Sequence, residues 1–392
     1  MHIVHIITRL IVGGAQENTL ITCREQALAG HRVTLITGPS LGPEGSLMNS
    51  TRECGYDVVV LKELEREIRP LTDITAYRKL KELLVELKPD VVHTHSAKAG
   101  ILGRVAGWNI KDEDKKPLVV HTVHGLAFHD YQSNPLNMLY VVIEKFAAKR
   151  CDAIISVADA MSEKCIAKKI GRPEMYSTAY SAIDVDTFLK LPAPEQTAAF
   201  RERYDIPLEA VVLVCVARIA ELKGHEYIIK SAKELAARHP DCVWLFVGNG
   251  HLTDITKERI AAAGLSDKFR FTGLLSPEEI PLAIHSSDIL VHCSLREGLA
   301  RVLPQAMLCG KPAVSFDIDG AREVVFDSTG RLIAPLDIAS LTSACEELIS
   351  SKELREMLGA AGREFVRERW SPESMLKSIY AAYETAFERL NA

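Results

Sequence analysis

Residues Ser294–Val325 read SLREGLARVLPQAMLCGKPAVSFDIDGAREVV. They follow an apolar run, Asp288–Cys293, and the pattern is strand, acidic turn, helix, glycine stop, second strand, second turn. The helix is expected over Ala300–Leu308, stopping at Gly310 with Pro312 just beyond. Glu297 and Gly298 then fall where a strand gives way to a helix, and free N–H groups and the helix dipole favour an anionic ligand there. A carboxylate in that place repels a bare phosphate. It suits a hydroxylated group carried beside phosphates, such as a sugar.

Outward from this stretch, apolar strand-like runs and helical periodicities alternate along the chain. Toward the C-terminus, strands are expected at Val211–Val216, Cys242–Val247, Phe269–Thr272, Ile289–Cys293 and Ala313–Phe316, with a helix over Glu226–Arg238 and helix from Ile338 onward. Toward the N-terminus the strands are His2–Ile7, Arg32–Thr37, Asp57–Val60, Asp90–Thr94, Leu118–Thr122 and Ala153–Val157. Helices are expected between them over Thr72–Leu87, Ala97–Trp108 and Pro135–Arg150. Such alternation gives a parallel sheet covered on both faces. The pattern loosens at Asp184–Pro194 (DVDTFLKLPAP), a proline-bearing linker, so the expected architecture is two Rossmann-like α/β domains in series. The boundaries read 1–188, 189–370 and a final helical segment 371–392. Ligands of open parallel sheets sit at the carboxyl ends of the strands, so the turns of both domains are expected to line one cleft.

A chain of 392 residues is long enough for two cores, and 47% hydrophobic with 25% charged residues is ordinary for a globular protein. The formal charge of -5 excludes a general nucleic-acid binder. The nine cysteines are odd in number and lack Cys-x-x-Cys spacing, which fits buried apolar roles in a reducing, cytoplasmic setting. No basic leader precedes an apolar core at the N-terminus. No run approaches the ~20 apolar residues of a membrane span, so any membrane contact is peripheral, at the inner face of the cell membrane.

Several motifs in fixed order carry a family resemblance. They are Gly13-Gly14-Ala-Gln16, His121-Thr-Val-His124-Gly125, Asp184-x-x-x-Phe188, Val216-Ala-Arg218 followed by Lys223-Gly224, Glu297-Gly298, Gln305-Ala-Met, Cys309-Gly-x-Pro312 and Gly320-Ala-Arg-Glu323-Val-Val. Together they resemble the retaining glycosyltransferases of family 4, which have the GT-B fold: two Rossmann-like domains facing across a cleft. The resemblance implies a metal-independent transfer of a sugar from a nucleoside diphosphate sugar to an acceptor hydroxyl, with no other cofactor. It also implies the setting, glycan, polysaccharide or glycolipid synthesis for the cell envelope, with a carbohydrate or lipid-linked acceptor.

By the same resemblance, Arg218 and Lys223 bind the diphosphate and stabilise the leaving group, Glu297 orients the donor sugar, and His124 lies near the reaction centre. Gly13, Gly14, Gly248, Gly298, Leu299, Gln305 and Glu323 are expected on the donor side, Gln16 and His95 on the acceptor side. The chemistry agrees, since both cations would face charge developing on a departing phosphate oxygen. Two positions depart from the family pattern. Gln305 stands where the family carries a second glutamate that binds the ribose, and a glutamine can still exchange hydrogen bonds with hydroxyls. Ala300 replaces a frequent proline. These departures keep a non-catalytic nucleotide-sugar-binding subunit open as an alternative, beside a nucleotide-sugar epimerase of similar fold.

Four other patterns are weighed and set aside. Asp317-Ile-Asp319 and Asp184-Val-Asp186 match an Asp-x-Asp metal motif but stand past a strand and in the linker. His93-Thr-His95 puts two imidazoles on one strand face with no third ligand evident, so no metal site is expected. Lys164–Arg172 mixes cations with Ile166 and Ile170 and could lie on a membrane surface, although an ordinary solvated face is the preferred reading.

Overall fold

The computed structural model describes residues 1–391 except 41–45, 52–54 and 111–115. The chain divides into two compact units, Met1–Ile183 with Ser371–Ala392, and Asp184–Trp370. In the first unit, strands β1 (His2–Ile7), β2 (Arg32–Thr37), β3 (Asp57–Val60), β4 (Val91–His95), β5 (Leu118–Val123), β6 (Ala153–Ser156) and β7 (Tyr176–Thr178) form one sheet. Their order is β3-β2-β1-β4-β5-β6-β7, all parallel. The central strands are rich in Val and Ile because helices cover both faces, leaving no solvent side for a polar alternation. One face packs on a core of Val4, Ile6, Leu80, Leu84 and Val92. The other, with Ile3, Val91, Leu118 and Val120, packs on Met375, Ile379 and Tyr383 of the last helix, Pro372–Asn391.

In the second unit, β8 (Val211–Val216), β9 (Cys242–Val247), β10 (Phe269–Gly273), β11 (Ile289–His292), β12 (Ala313–Phe316) and β13 (Gly330–Ile333) lie in the order β10-β9-β8-β11-β12-β13. Both sheets reverse direction of growth beside their first strand, between β1 and β4 and between β8 and β11. These are the switch points where ligands of such sheets bind. The eight described cysteines are free and buried, as their apolar surroundings suggested, and Cys54 lies outside the described residues.

Several expectations need correction. The loosened stretch after Asp184 is not open linker: Asp184 caps a short helix, Val185–Leu189, through Thr187 N. Phe188 is buried there and its carbonyl accepts from His285 Nε2 at 3.0 Å and from Cys309 Sγ at 3.5 Å. The second unit therefore starts at Asp184 rather than at 189. In Lys164–Arg172 the four cations are exposed, in keeping with the preferred reading of a solvated face, and the segment is not one continuous helix. The helix ends at Ala167, Lys169 turns back with φ 56°, and Cys165 and Ile170 are buried.

Candidate active site

In the second unit, four strand-end loops meet around the β8/β11 switch. Ala217 N donates to Val247 O and Ile219 N to Asn249 O, tying the loop after β8 to the loop after β9. Leu295 N donates to Leu222 O at 2.8 Å, tying it to the loop after β11. Glu297 N donates to Asp319 Oδ2 at 2.8 Å, and Gly320 N to Gly298 O at 3.2 Å, bringing in the loop after β12. Such close approach selects glycine twice. A Cβ on Gly224 (φ 77°) would stand 1.9 Å from Cys293 O, and one on Gly248 (φ 135°) 2.2 Å from Ala217 O.

These ties bring Lys223 and Glu297 together. Lys223 Nζ lies 2.5 Å from Glu297 Oε1, with the two side chains 25% and 20% exposed, and His292 Nε2 lies 3.6 Å from the same oxygen. Burial disfavours the Glu297 carboxylate, yet Lys223 and His292 outweigh it and hold the carboxyl well below the usual range. The arrangement is a cation and a fixed anion side by side at a strand-order switch, each still reachable from solvent. The cation can meet an incoming phosphate, and the anion can accept from sugar hydroxyls. Arg218 is exposed on the neighbouring loop. His292, at the end of β11, was missed because its partners come from other segments and its own strand reads simply as apolar.

The helix after Glu297 is shorter than expected, Val302–Leu308, so Glu297 and Gly298 stand in the irregular stretch before it and not at its N-terminus. The reason is visible in the backbone: Glu297 N and Gly298 O are already engaged by Asp319 and Gly320. Asp319, set aside as a metal ligand, thus positions Glu297, while Asp317 forms a two-pronged pair with Arg322. Leu299 is buried at 7% exposure, and Gln305 is half-buried on the helix Val302–Leu308. Glu323 closes a 3-10 turn, Asp319–Glu323.

In the first unit, Gly13 is extended (φ 173°) and Gly14 opens the helix Gly14–Leu28. Gln16 folds back toward Gly13: a Cβ there would lie 2.9 Å from Gln16 Oε1. At the β1/β4 switch, Thr8 and Ser96 exchange a 2.8 Å hydrogen bond, with Ser96 at φ 61°. Here the sheet builds a histidine cluster that no single strand reveals. His5 on β1 lies in register with His93 on β4, so His5, His93 and His95 share one buried face. His5 is the third imidazole expected to be lacking.

The cluster nevertheless reads as a hydrogen-bond network, because all six nitrogens of the three rings have partners. Gln26 Oε1 lies 2.7 Å from His5 Nε2, His5 Nδ1 2.9 Å from His95 Nε2, and His95 Nδ1 3.0 Å from His124 Nε2. His93 reaches Tyr383 OH at 2.6 Å and Thr122 Oγ1 at 2.7 Å. Burial lowers the His5 pKa to about 4 and those of His93 and His95 well below the ordinary value, so these rings are neutral. A neutral ring holds one proton, and Gln26 offers an oxygen. His5 therefore donates from Nε2, His95 donates to His5, and His124 donates to His95. His95 is 1% exposed and touches His124 through its Nδ1. His121, buried against Thr94 Oγ1 at 2.9 Å, is structural.

Comparison with known proteins agrees with this architecture. The model for glycosyl transferases group 1 matches residues 196–365, and that for the glycosyl transferase 4-like domain matches 13–176. The chain is 31% identical to the UDP-Gal:alpha-D-GlcNAc-diphosphoundecaprenol alpha-1,3-galactosyltransferase of Escherichia coli, over 74% of each chain. It is 28% identical to the putative glycosyltransferase EpsD of Bacillus subtilis, over 79% of this chain and 81% of that one. Among solved structures, Anabaena Alr3699/HepE in complex with UDP-glucose superposes with a TM-score of 0.83 at 18% identity, covering 98% of this chain and 100% of that one. WaaG, a glycosyltransferase involved in lipopolysaccharide biosynthesis, gives 0.73 at 16% identity, covering 97% and 98%. The chain belongs to this family of glycosyltransferases and has the GT-B fold.

Proposed function

We propose that the protein transfers a sugar from a nucleoside diphosphate sugar to the hydroxyl of a lipid-linked acceptor, with retention at the sugar carbon and without a metal ion, in glycan or polysaccharide synthesis at the cell envelope. The observation that carries this reading is the Lys223–Glu297 pair at the β8/β11 switch. In the free protein each neutralises the other. A diphosphate approaching Lys223 and Arg218 releases the Glu297 carboxylate toward the sugar hydroxyls. The two cations then stabilise the charge growing on the departing phosphate oxygen. No carboxylate is assigned as a covalent nucleophile. Departure and attack occur on one face of the sugar, and the leaving phosphate helps to take the acceptor proton. His124 is assigned to the sugar near the reaction centre. Gly13, Gly14, Gly248, Gly298, Leu299, Gln305 and Glu323 are assigned to the donor, Gln16 to the acceptor side. A diphosphoundecaprenol acceptor in the E. coli relative and the UDP-glucose of the solved HepE complex support the acceptor and donor classes.

A thermal-shift panel of UDP-, GDP- and ADP-sugars, followed by donor hydrolysis with the best binder, tests the reading. One class should raise the melting temperature and be hydrolysed slowly without acceptor. Binding with no turnover under any acceptor would instead identify a binding subunit, and conversion of free donor to an isomer would identify an epimerase.

A further inference from the structure

The helix Asn134–Ala148 of the first unit follows the loop that carries His124, and it is unusual in what it leaves in water. Met138 is 69% exposed, Leu139 52%, Val142 62% and Phe146 48%. Met138, Val142 and Phe146 recur at intervals of one helical turn with Leu139 beside them, so these side chains form one stripe along the outward face. Opposite it, Ala147 and Ala148 are buried, and Glu144, the one acid of the helix, reaches the fully buried Arg104 at 2.8 Å. The outward face therefore carries no negative charge from its own helix.

Its C-terminal end is basic. Lys145, Lys149 and Arg150 follow one another there, and the Arg150 guanidinium lies 3.8 Å from the centre of the Phe146 ring. An apolar stripe bordered by cations matches the interface of an anionic bilayer, where the side chains enter the acyl boundary and the cations meet headgroup phosphates. A second exposed apolar group, Ile68, Leu71 and Ile74, is interleaved with both signs of charge, Glu65, Arg66, Glu67, Arg69 and Asp73, with Glu65 paired to Arg69 and Asp73 to Lys98, so it lacks a border of cations alone.

We propose that the outward face of the helix Asn134–Ala148 docks the protein on an anionic membrane. The purpose rests on the reading of the acceptor as lipid-linked: docking brings the His124 side of the first unit to the surface where such an acceptor is presented. The basic segment Lys164–Arg172 is not this surface, because Cys165 and Ile170 are buried and only the partly buried Ile166 and the small Ala167 are left as apolar groups beside its cations.

The test is sedimentation of the full chain with vesicles of phosphatidylglycerol and phosphatidylethanolamine, and with neutral phosphatidylcholine vesicles. The wild type should pellet with the anionic vesicles only. Val142→Glu with Phe146→Glu should lower the partition at least about tenfold, and Lys145→Ala with Lys149→Ala should lower it in a salt-dependent way. Both variants should keep the wild-type melting temperature and nucleotide-sugar response. A wild type that stays in solution, or variants that pellet equally, would overturn the proposal. A wild-type dimer that the glutamate variant turns into a monomer would assign the face to a second copy and also overturn it. Failure of the donor reading would look different: no nucleotide-sugar response, with vesicle binding intact.

Discussion

Glu297 is a carboxylate whose ionised form is held by a neighbouring ammonium while its surroundings disfavour charge. Its folded pKa lies well below the value near 4.3 of an unfolded glutamate. A depressed carboxyl stabilises the fold above the unfolded pKa and loses that contribution as pH falls toward the folded value. The melting-temperature difference between wild type and Glu297→Gln should therefore stay constant from pH 7 to 5 and shrink below about pH 4. A difference unchanged down to pH 3 would show that Glu297 is not held by charge. At Gly224, where φ is 77° and a Cβ would meet Cys293 O, Gly224→Ala should cost about 1–3 kcal/mol in denaturant unfolding. That strain would also shift Lys223, so activity should fall in the surviving folded protein.

Among the elements, the last helix does the work of closing the first sheet. Tyr383 is 1% exposed with its hydroxyl 2.6 Å from His93 Nδ1, and Met375 and Ile379 join the core on that face of the sheet. Tyr383→Phe leaves His93 Nδ1 buried without its partner, a loss of about 1–3 kcal/mol by chemical denaturation. Truncation after Trp370 should unfold the first unit while leaving hydrogen-exchange protection in the second. The strands were legible where apolar runs were long, as at His2–Ile7 and Cys242–Val247. β7 (YST) and β13 (GRLI) were not, because each is short and offers no continuous apolar run, unlike the edge strand β3 with its three valines. The histidine network was illegible for another reason. His93 and His95 share a face by strand periodicity, but His5 joins them only through the β1–β4 register. The site's motifs were visible as spacings; the ties from Asp319 and Gly320 that shorten the helix after Glu297 were not.

For the whole molecule, the two units should differ in acid stability. In the first, burial lowers the pKa of His5 to about 4 and of His93, His95 and His121 well below the ordinary value; in the second, the strongest such case is His225, to about 4. Rings held neutral in the fold take protons first in the unfolded chain, so their stabilisation is whole above about pH 6.5 and is lost as pH falls toward 4. Hydrogen exchange followed between these limits should open the first unit before the second. In the second unit, the proposed function requires Lys223 to exchange Glu297 for the donor diphosphate. Its most direct test is the donor-hydrolysis rate of wild type and Lys223→Ala under saturating nucleotide sugar, with folding checked by the melting transition. The folded variant should lose about 100-fold or more of the rate. Wild-type turnover in folded Lys223→Ala would contradict it.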